Sequence, residues 1–238
     1  NPPALRNVSA ETFMALHVLL AHAGFRTVSQ TFRVRVPSGM PPCEWCCLYQ
    51  SARVPQPAQG MGASSPGLLT HSDTWGPFRD AAYYRGCRYI TVFVDDCTRV
   101  RFPVFHQDRT SATLIRGFCV YCAFMRQYGV EVVGFMSDGG PEYVSREAFE
   151  FCDEHAIRRV LSVAYTPEQN GIAESVFRVY VPRVRTMVAA AGMCKSLYAL
   201  AFQYALWLAN RTFSRKLGSC PLARLASPPD HVRELRRA

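Results

Sequence analysis

The chain has 238 residues, 49% of them hydrophobic and 19% charged, enough apolar material for a buried core and too much for a disordered chain. No apolar run reaches the roughly eighteen residues of a membrane span, and the first residues show no charged-then-apolar leader, so neither a membrane protein nor a secreted one is expected. The formal net charge is +9, and it is unevenly placed: residues 1–174 carry sixteen basic and sixteen acidic side chains, residues 175–238 eleven and two.

The length suggests one good-sized domain plus a smaller piece. The excess of base after Glu174 points to a polyanion partner, most simply nucleic acid, although a solvated helix face with a basic tail would leave the same pattern. Lys195 and Lys216 are the only lysines. The rest of the base is arginine, whose fork suits phosphate. Ten cysteines without a secretory context point to reduced thiols or metal rather than disulfides.

In chain order, residues 11–24 read as a short helix carrying His17 and His22, followed by a polar, β-branched loop. PPCEWCC then places Cys43 and Cys46 in CxxC spacing. Two imidazoles and two thiolates make a tetrahedral zinc set, and a piece of about fifty residues has too little core to stand without such a staple. Cys47, adjacent to Cys46, competes for the assignment. Residues 51–67, rich in Pro, Gly, Ala and Ser, read as a linker between a 1–50 zinc-binding module and a 68–216 core.

The core alternates strands and helices. Strands are predicted over LLTHSDTWG, CRYITVFVDDCTR and VRFPVFHQD, then a helix over 110–128 with Leu114, Phe118, Tyr121 and Met125 at helical spacing. Cys119 and Cys122 fall inside that pattern and read as packing residues. EVVGFMS is a fourth strand, 145–155 a helix capped by Ser145 with Phe149 and Cys152 on one face, and IRRVLSV a fifth strand. AYTPEQNG reads as a mobile loop into a helix bearing Glu174, with a kink or break expected near residues 179–181 because Pro182 removes a backbone donor. A last helix over 195–214 carries Leu197, Leu200, Tyr204, Trp207 and Leu208 as its packing stripe, and 217–238 reads as a basic tail. The fold class is α/β: a mixed five-stranded sheet with flanking helices, preceded by a small helical module.

Three acids stand out. Asp73 lies at the end of the first strand. Asp138 ends the fourth, in SDGGPEY. Glu174 follows after thirty-five intervening residues, in TPEQNGIAES. Carboxylates on different elements can hold two Mg²⁺ (or Mn²⁺) ions, and such a pair activates an attacking oxygen and stabilises a leaving one. The glycines after Asp138 leave room for a phosphate backbone or a sharp turn. Asp95 and Asp96 compete with Asp73 by chemistry alone and read as strand-end, structural residues.

DTWGP, YITVFVDDCTR, SDGGPEY, TPEQNGIAES and the late WLANRTFSR, in that order, together resemble the integrase of copia-type long-terminal-repeat retrotransposons, within the retroviral integrase superfamily. The upstream HxxxxH and CxxC resemble the zinc-binding domain that precedes that catalytic core. The resemblance spans roughly residues 13–226. It implies an RNase H-like fold and a polynucleotidyl transferase with endonuclease activity, which trims the element's 3′ ends and joins them to target DNA. It implies Asp73, Asp138 and Glu174 as the Mg²⁺-binding catalytic triad, and His17, His22, Cys43 and Cys46 as the Zn²⁺ set. The basic segment with Arg178, Arg183 and Arg185 would hold DNA. Homo-oligomeric action, and a nuclear location in a eukaryotic host, are implied as well. Ser175 and Phe177 depart from a pattern often polar or basic there, which bears on the DNA grip more than on the metal site. A non-enzymatic, domesticated nucleic-acid-binding derivative and a nuclease that cuts without joining are the competing readings.

Overall fold

A computed structural model describes residues 5–49, 62–78, 86–161 and 167–226. Three short helices come first: α1 (Ala10–Leu19), α2 (Phe25–Phe32) and α3 (Glu44–Tyr49). Ser9 caps α1, its side chain accepting from Thr12 N–H. The segment expected to be a loop after α1 contains α2. Its polar residues lie on one side, and Phe25, Val28 and Phe32 turn inward at helical spacing.

The strands are β1 (Thr70–Trp75), β2 (Tyr89–Asp95), β3 (Arg101–His106), β4 (Gly134–Ser137) and β5 (Arg158–Leu161), in the order β3-β2-β1-β4-β5. β1, β2 and β3 form an antiparallel meander, while β4 and β5 run parallel to β1. Helix α4 (Ser111–Arg126) bridges β3 and β4, and α5 (Arg146–Glu154) bridges β4 and β5. This is the expected five-stranded mixed sheet.

Period-2 alternation on β2 sorts the core into two layers. Ile90, Val92 and Val94 face one cluster, and Phe93 faces the other. The Phe93 side packs on α4 and α5 through the expected Leu114, Phe118, Tyr121 and Met125, all buried. Cys152 is buried on α5, whereas Phe149 is exposed, with the Arg159 guanidinium 3.9 Å above its ring.

The Val92 side packs on α6 (Pro167–Ala190) and α7 (Tyr198–Arg211). The same layer takes in Phe13, Leu20, Val28 and Val34, so the amino-terminal module shares a core with α6 and α7. The sheet side of the linker is also tied down: Gly67 N–H donates to Asp95 Oδ1 at 2.7 Å and Ala63 N–H to Asp96 Oδ2 at 2.5 Å. Asp95 Oδ2 accepts from Thr98, and Asp96 pairs with Arg99 at 3.0 Å. Both carboxylates are consumed in fastening loops.

Four expectations about the carboxy-terminal part are corrected. Asn170 and Gly171 lie in the first turns of α6, and that helix runs unbroken through Pro182. Its buried stripe (Ala173, Val176, Phe177, Tyr180, Val184, Val188) continues on both sides of the proline. Burial of several such side chains at about 1.5–3 kcal/mol each outweighs a proline penalty of about 3 kcal/mol. On α7 the packing stripe is Ala199, Phe202, Ala205, Leu206 and Leu208, of which only Leu208 belongs to the expected stripe. Leu200, Tyr204 and Trp207 are 38%, 46% and 49% exposed. The helix is apolar nearly all round, so periodicity offers two faces, and the alanines let the observed one approach closely. Asn210 fixes α7 to the edge strand, its side chain accepting from Arg101 N–H at 2.9 Å and donating to Arg101 C=O at 2.7 Å. The expected tail begins inside the fold, since α8 (Pro221–Ala226) buries Leu225 completely.

Candidate functional site

The β1–β4 pairing sets Thr70 opposite Phe135 and His71 opposite Met136. Two residues further on, Asp73 is still in β1 and Asp138 directly follows the end of β4, so the two acids belong to neighbouring parallel strands. Asp73 pairs across β2 with Val92, and so points to the layer covered by α6, where Glu174 stands. Ser72 and Thr74 point the other way. Tyr143, fully buried, has its hydroxyl 2.9 Å from both Ser72 Oγ and Thr74 Oγ1. The chain continues from Thr74 to Thr91 Oγ1 at 2.8 Å and on to His106 Nε2 at 2.7 Å. This buried polar chain clamps the backbone on both sides of Asp73. Tyr143→Phe is expected to cost about 1–2 kcal/mol in urea unfolding, because the buried Ser72 hydroxyl and the half-buried Thr74 hydroxyl each lose a partner. A loss below about 0.5 kcal/mol would show that the clamp carries no weight.

The electrostatics agree with the geometry. Burial, then the Asp138 charge, push the Asp73 carboxyl up to about 7; Glu174 adds to the rise, while the Thr74 N–H and Arg109 oppose it. Asp138 and Glu174 are therefore both within electrostatic reach of Asp73. Asp138 Oδ1 accepts from Gly140 N–H at 3.1 Å, which closes the turn after β4. Gly139 has open space where a Cβ would stand. Glu174 is half-buried and leans toward Arg178 at 3.9 Å. Among the described residues, the carboxylates are not gathered as tightly as the His/Cys group below.

That group is compact. One ligand atom each from His17, His22, Cys43 and Cys46 lies within 4.8 Å of every other. His22 Nδ1 is 3.2 Å from His17 Nε2 and 3.4 Å from Cys43 Sγ, and Cys46 Sγ is 3.3 Å from His17 Nε2. A tetrahedron with zinc bond lengths of about 2.0–2.3 Å has edges of about 3.3–3.8 Å, so the spacing fits such an ion. His17 Nδ1 sits 2.7 Å from the Ala23 carbonyl; a proton there leaves Nε2 as the ligand atom. Ala21 and His22 adopt left-handed backbone with φ of 51° and 56°, which ends α1 and turns the second imidazole back toward the first. Cys47 is exposed, outside the cluster.

The arginines after Glu174 divide. Arg178 and Arg185, two turns apart, are exposed on the Glu174 side of α6. Arg183 projects about 140° away from Arg178. It lies over the Tyr180 ring at 5.1 Å and within electrostatic reach of His17 and Cys46. The departures from the family pattern have local causes. Phe177 is core, stacked between Trp75 and Phe202, and the Ser175 hydroxyl donates back to Ile172 C=O.

Sequence reasoning missed Arg109, Glu142 and Tyr143. Glu142 and Tyr143 are in the quoted SDGGPEY, but nothing local says that they turn inward.

The integrase core domain family matches residues 63–167. The Pol polyprotein of the tobacco transposon TNT 1-94 is 32% identical over 172 residues, 72% of this chain and 13% of that polyprotein. The Pol polyprotein of transposon RE1 from Arabidopsis thaliana is 28% identical over 78% of this chain and 12% of its own length. The chain carries an integrase core of the retroviral integrase superfamily. Among solved structures, a simian T-cell lymphotropic virus intasome chain covers 93% of this integrase chain and is covered for 75%, with TM-score 0.59 and 17% identity. The HTLV-2 integrase catalytic core in complex with magnesium covers 66% and is covered for 95%, with TM-score 0.52 and 17% identity. These likenesses identify the integrase fold as RNase H-like. The chain spans about an eighth of the polyproteins it resembles.

Proposed function

We propose that this integrase chain is a polynucleotidyl transferase of DNA integration, processing 3′ ends and transferring them into target DNA with divalent metal. The observation that supports the reading is the Asp73 carboxyl, which lies on the side of β1 covered by α6 and feels the charges of both Asp138 and Glu174. A buried carboxyl pushed up by two further carboxylates is the donor set a hard divalent cation relieves. Asp73, Asp138 and Glu174 would hold Mg²⁺ or Mn²⁺, which supplies activation of the attacking oxygen and charge relief at the leaving one. The chain's own contribution is placement. The Tyr143 clamp fixes Asp73, the Gly140 turn fixes Asp138, and the buried stripe of α6 fixes Glu174.

His17, His22, Cys43 and Cys46 would hold structural Zn²⁺. DNA and further copies of the chain are the proposed partners; the similar intasome and the trimeric HTLV-2 core support that reading. Arg178 and Arg185 are the DNA-contact candidates, while Arg183 faces the His/Cys module. No helix among the described residues is long and apolar enough to cross a membrane.

The deciding experiment incubates purified protein with Mg²⁺ or Mn²⁺ and a duplex bearing the element's end. Shortened and joined strands are expected, and absence of both with either metal would overturn the proposal. A pH dependence follows from Asp73. Its pKa, raised from 3.8 to about 7 without metal, means the folded metal-free state holds a proton that the unfolded chain has lost. Stability from this group is full below about pH 4 and is lost as pH rises through about 7. A cation must displace that proton, so Mn²⁺ affinity by calorimetry is expected to climb about tenfold per pH unit from pH 5.5 and level off above about 7. A flat profile would show that Asp73 carries no proton there.

A further inference from the structure

Arg109 sits in the short connection between β3 and α4. Its backbone is fixed from the helix side. Asp108 Oδ1 accepts from the Thr110 and Thr113 hydroxyls at 2.8 and 2.7 Å, and Thr110 caps α4. Its side chain crosses to the turn after β4, where Nε donates to Glu142 Oε1. The Glu142 side chain is 2% exposed and Arg109 is 37% exposed. A carboxylate so deeply buried needs a cation, and Glu142 Oε2 has no hydrogen-bond partner among the described residues. That bond uses one of five guanidinium N–H groups.

The remaining donors lie beside the acids. A Cβ on Gly140 would stand 3.0 Å from Arg109 Nη2, 3.0 Å from Glu142 Oε2 and 3.1 Å from Asp138 Oδ1. The guanidinium and the Asp138 carboxylate thus share one glycine turn, yet Arg109 forms its ion pair with Glu142 and none with Asp138 among the described residues. Glu142 holds the cation next to the acids, where its charge reaches Asp73 and Asp138 without an ion pair to either among the described residues. A phosphate drawn to cations at Asp73 and Asp138 would meet this guanidinium, and a forked donor matches phosphate oxygens.

We propose that Arg109, held by Glu142, is a phosphate-contact residue of the catalytic cleft. It binds the DNA backbone beside the scissile position, separately from the arginines on α6. This rests on the strand-transfer reading above. The competing explanation is that Arg109 does no more than neutralise Glu142, in which case removing both charges together would leave function intact.

The test compares wild type, Arg109→Lys and the double variant Arg109→Met with Glu142→Gln, the last chosen so that no buried charge is left unpaired. Circular dichroism first verifies folding. Retention of a short duplex is measured against salt without divalent metal, and nicking is measured with Mn²⁺. Loss of one phosphate contact lowers the slope of log affinity on log salt by about 0.9. The double variant is expected to show that drop together with at least a tenfold (order of magnitude) loss of nicking. Arg109→Lys is expected to keep the slope and lose part of the rate, because a point charge replaces the fork. A double variant with wild-type slope, or with wild-type nicking, overturns the proposal. If wild type itself does not nick, the strand-transfer reading fails, while the salt slopes still decide whether Arg109 touches phosphate. Should the double variant not fold, Arg109→Lys decides alone: nicking equal to wild type overturns the proposal.

Discussion

Asp138→Asn is expected to abolish both end trimming and strand joining, by at least about 10³-fold, while the protein still retains DNA. The size follows from position. Asp138 follows β4, the parallel neighbour of β1, and its charge reaches Asp73, so it is the side chain through which a cation at Asp73 would be shared. A 10³-fold loss corresponds to about 4 kcal/mol of transition-state stabilisation, within what a metal clamp on an in-line displacement supplies. The fold has little reason to suffer. An asparagine Oδ1 can still accept from Gly140 N–H, and the charge that helps push Asp73 up to about 7 disappears. DNA affinity rests on phosphate contacts and does not need the acid. Quantified gel products with Mg²⁺ and Mn²⁺, beside a filter-retention assay, provide the check. A variant that cleaves as fast as wild type would refute the acid site. One that fails to retain DNA would show that Asp138 serves binding rather than chemistry.

Loss of zinc is expected to unfold more than the amino-terminal module. Without an ion, burial lowers His22 to about 4, so both imidazoles are ready as neutral ligands. Burial, with Cys43 and Cys47 adding to it, pushes the Cys46 thiol up to about 12. The Cys46 thiol must therefore release a proton to bind the ion, and zinc affinity falls as pH falls. Structural zinc contributes about 10–16 kcal/mol of apparent binding free energy in small modules. Here Phe13, Leu20, Val28 and Val34 lie in the same layer as Phe177, Val184 and Phe202, so the damage spreads to α6 and α7. If half of that energy is felt by the whole chain, the melting temperature drops by at least about 10 °C, given about 2–4 °C per kcal/mol at this size. One zinc per chain by elemental analysis, and a single shifted melting transition on chelation or in Cys43→Ser, are the expected results. Less than about half an ion per chain with thiols reduced, or a melt indifferent to chelator, would remove zinc from the account.

Much of the fold was legible because its signals are local. The helical spacing of Leu114, Phe118, Tyr121 and Met125, and the β-branched run of β2, each report a periodicity that packing then used. The Ser145 cap and the HxxxxH–CxxC spacing are short-range as well. Misreadings came where two local answers were equally good or where a distant partner changed the balance. Helix α7 is apolar on several faces, so its periodicity points as well to the side that carries Tyr204 and Trp207, which are exposed. Pro182 was expected to break α6, and the buried stripe on both sides of it held the helix together. The polar composition of α2 hid a helix that needs only Phe25, Val28 and Phe32 to dock.

The sequence alone determined which residue types could do chemistry and on which elements they ride: three acids at a strand, a strand end and a helix, and two histidines with two thiols. Motif and spacing are properties of the chain and survive without coordinates. The tertiary structure decided what those residues meet. The parallel β1–β4 pairing puts Asp73 and Asp138 on neighbouring strands, the Tyr143 hydroxyl grips both flanks of Asp73, and Glu142 turns inward to hold Arg109 beside the acids. Contacts of this kind join residues dozens of positions apart. They are set by how sheet and helices bury their apolar faces, and that is a property of the packed layers rather than of any one segment.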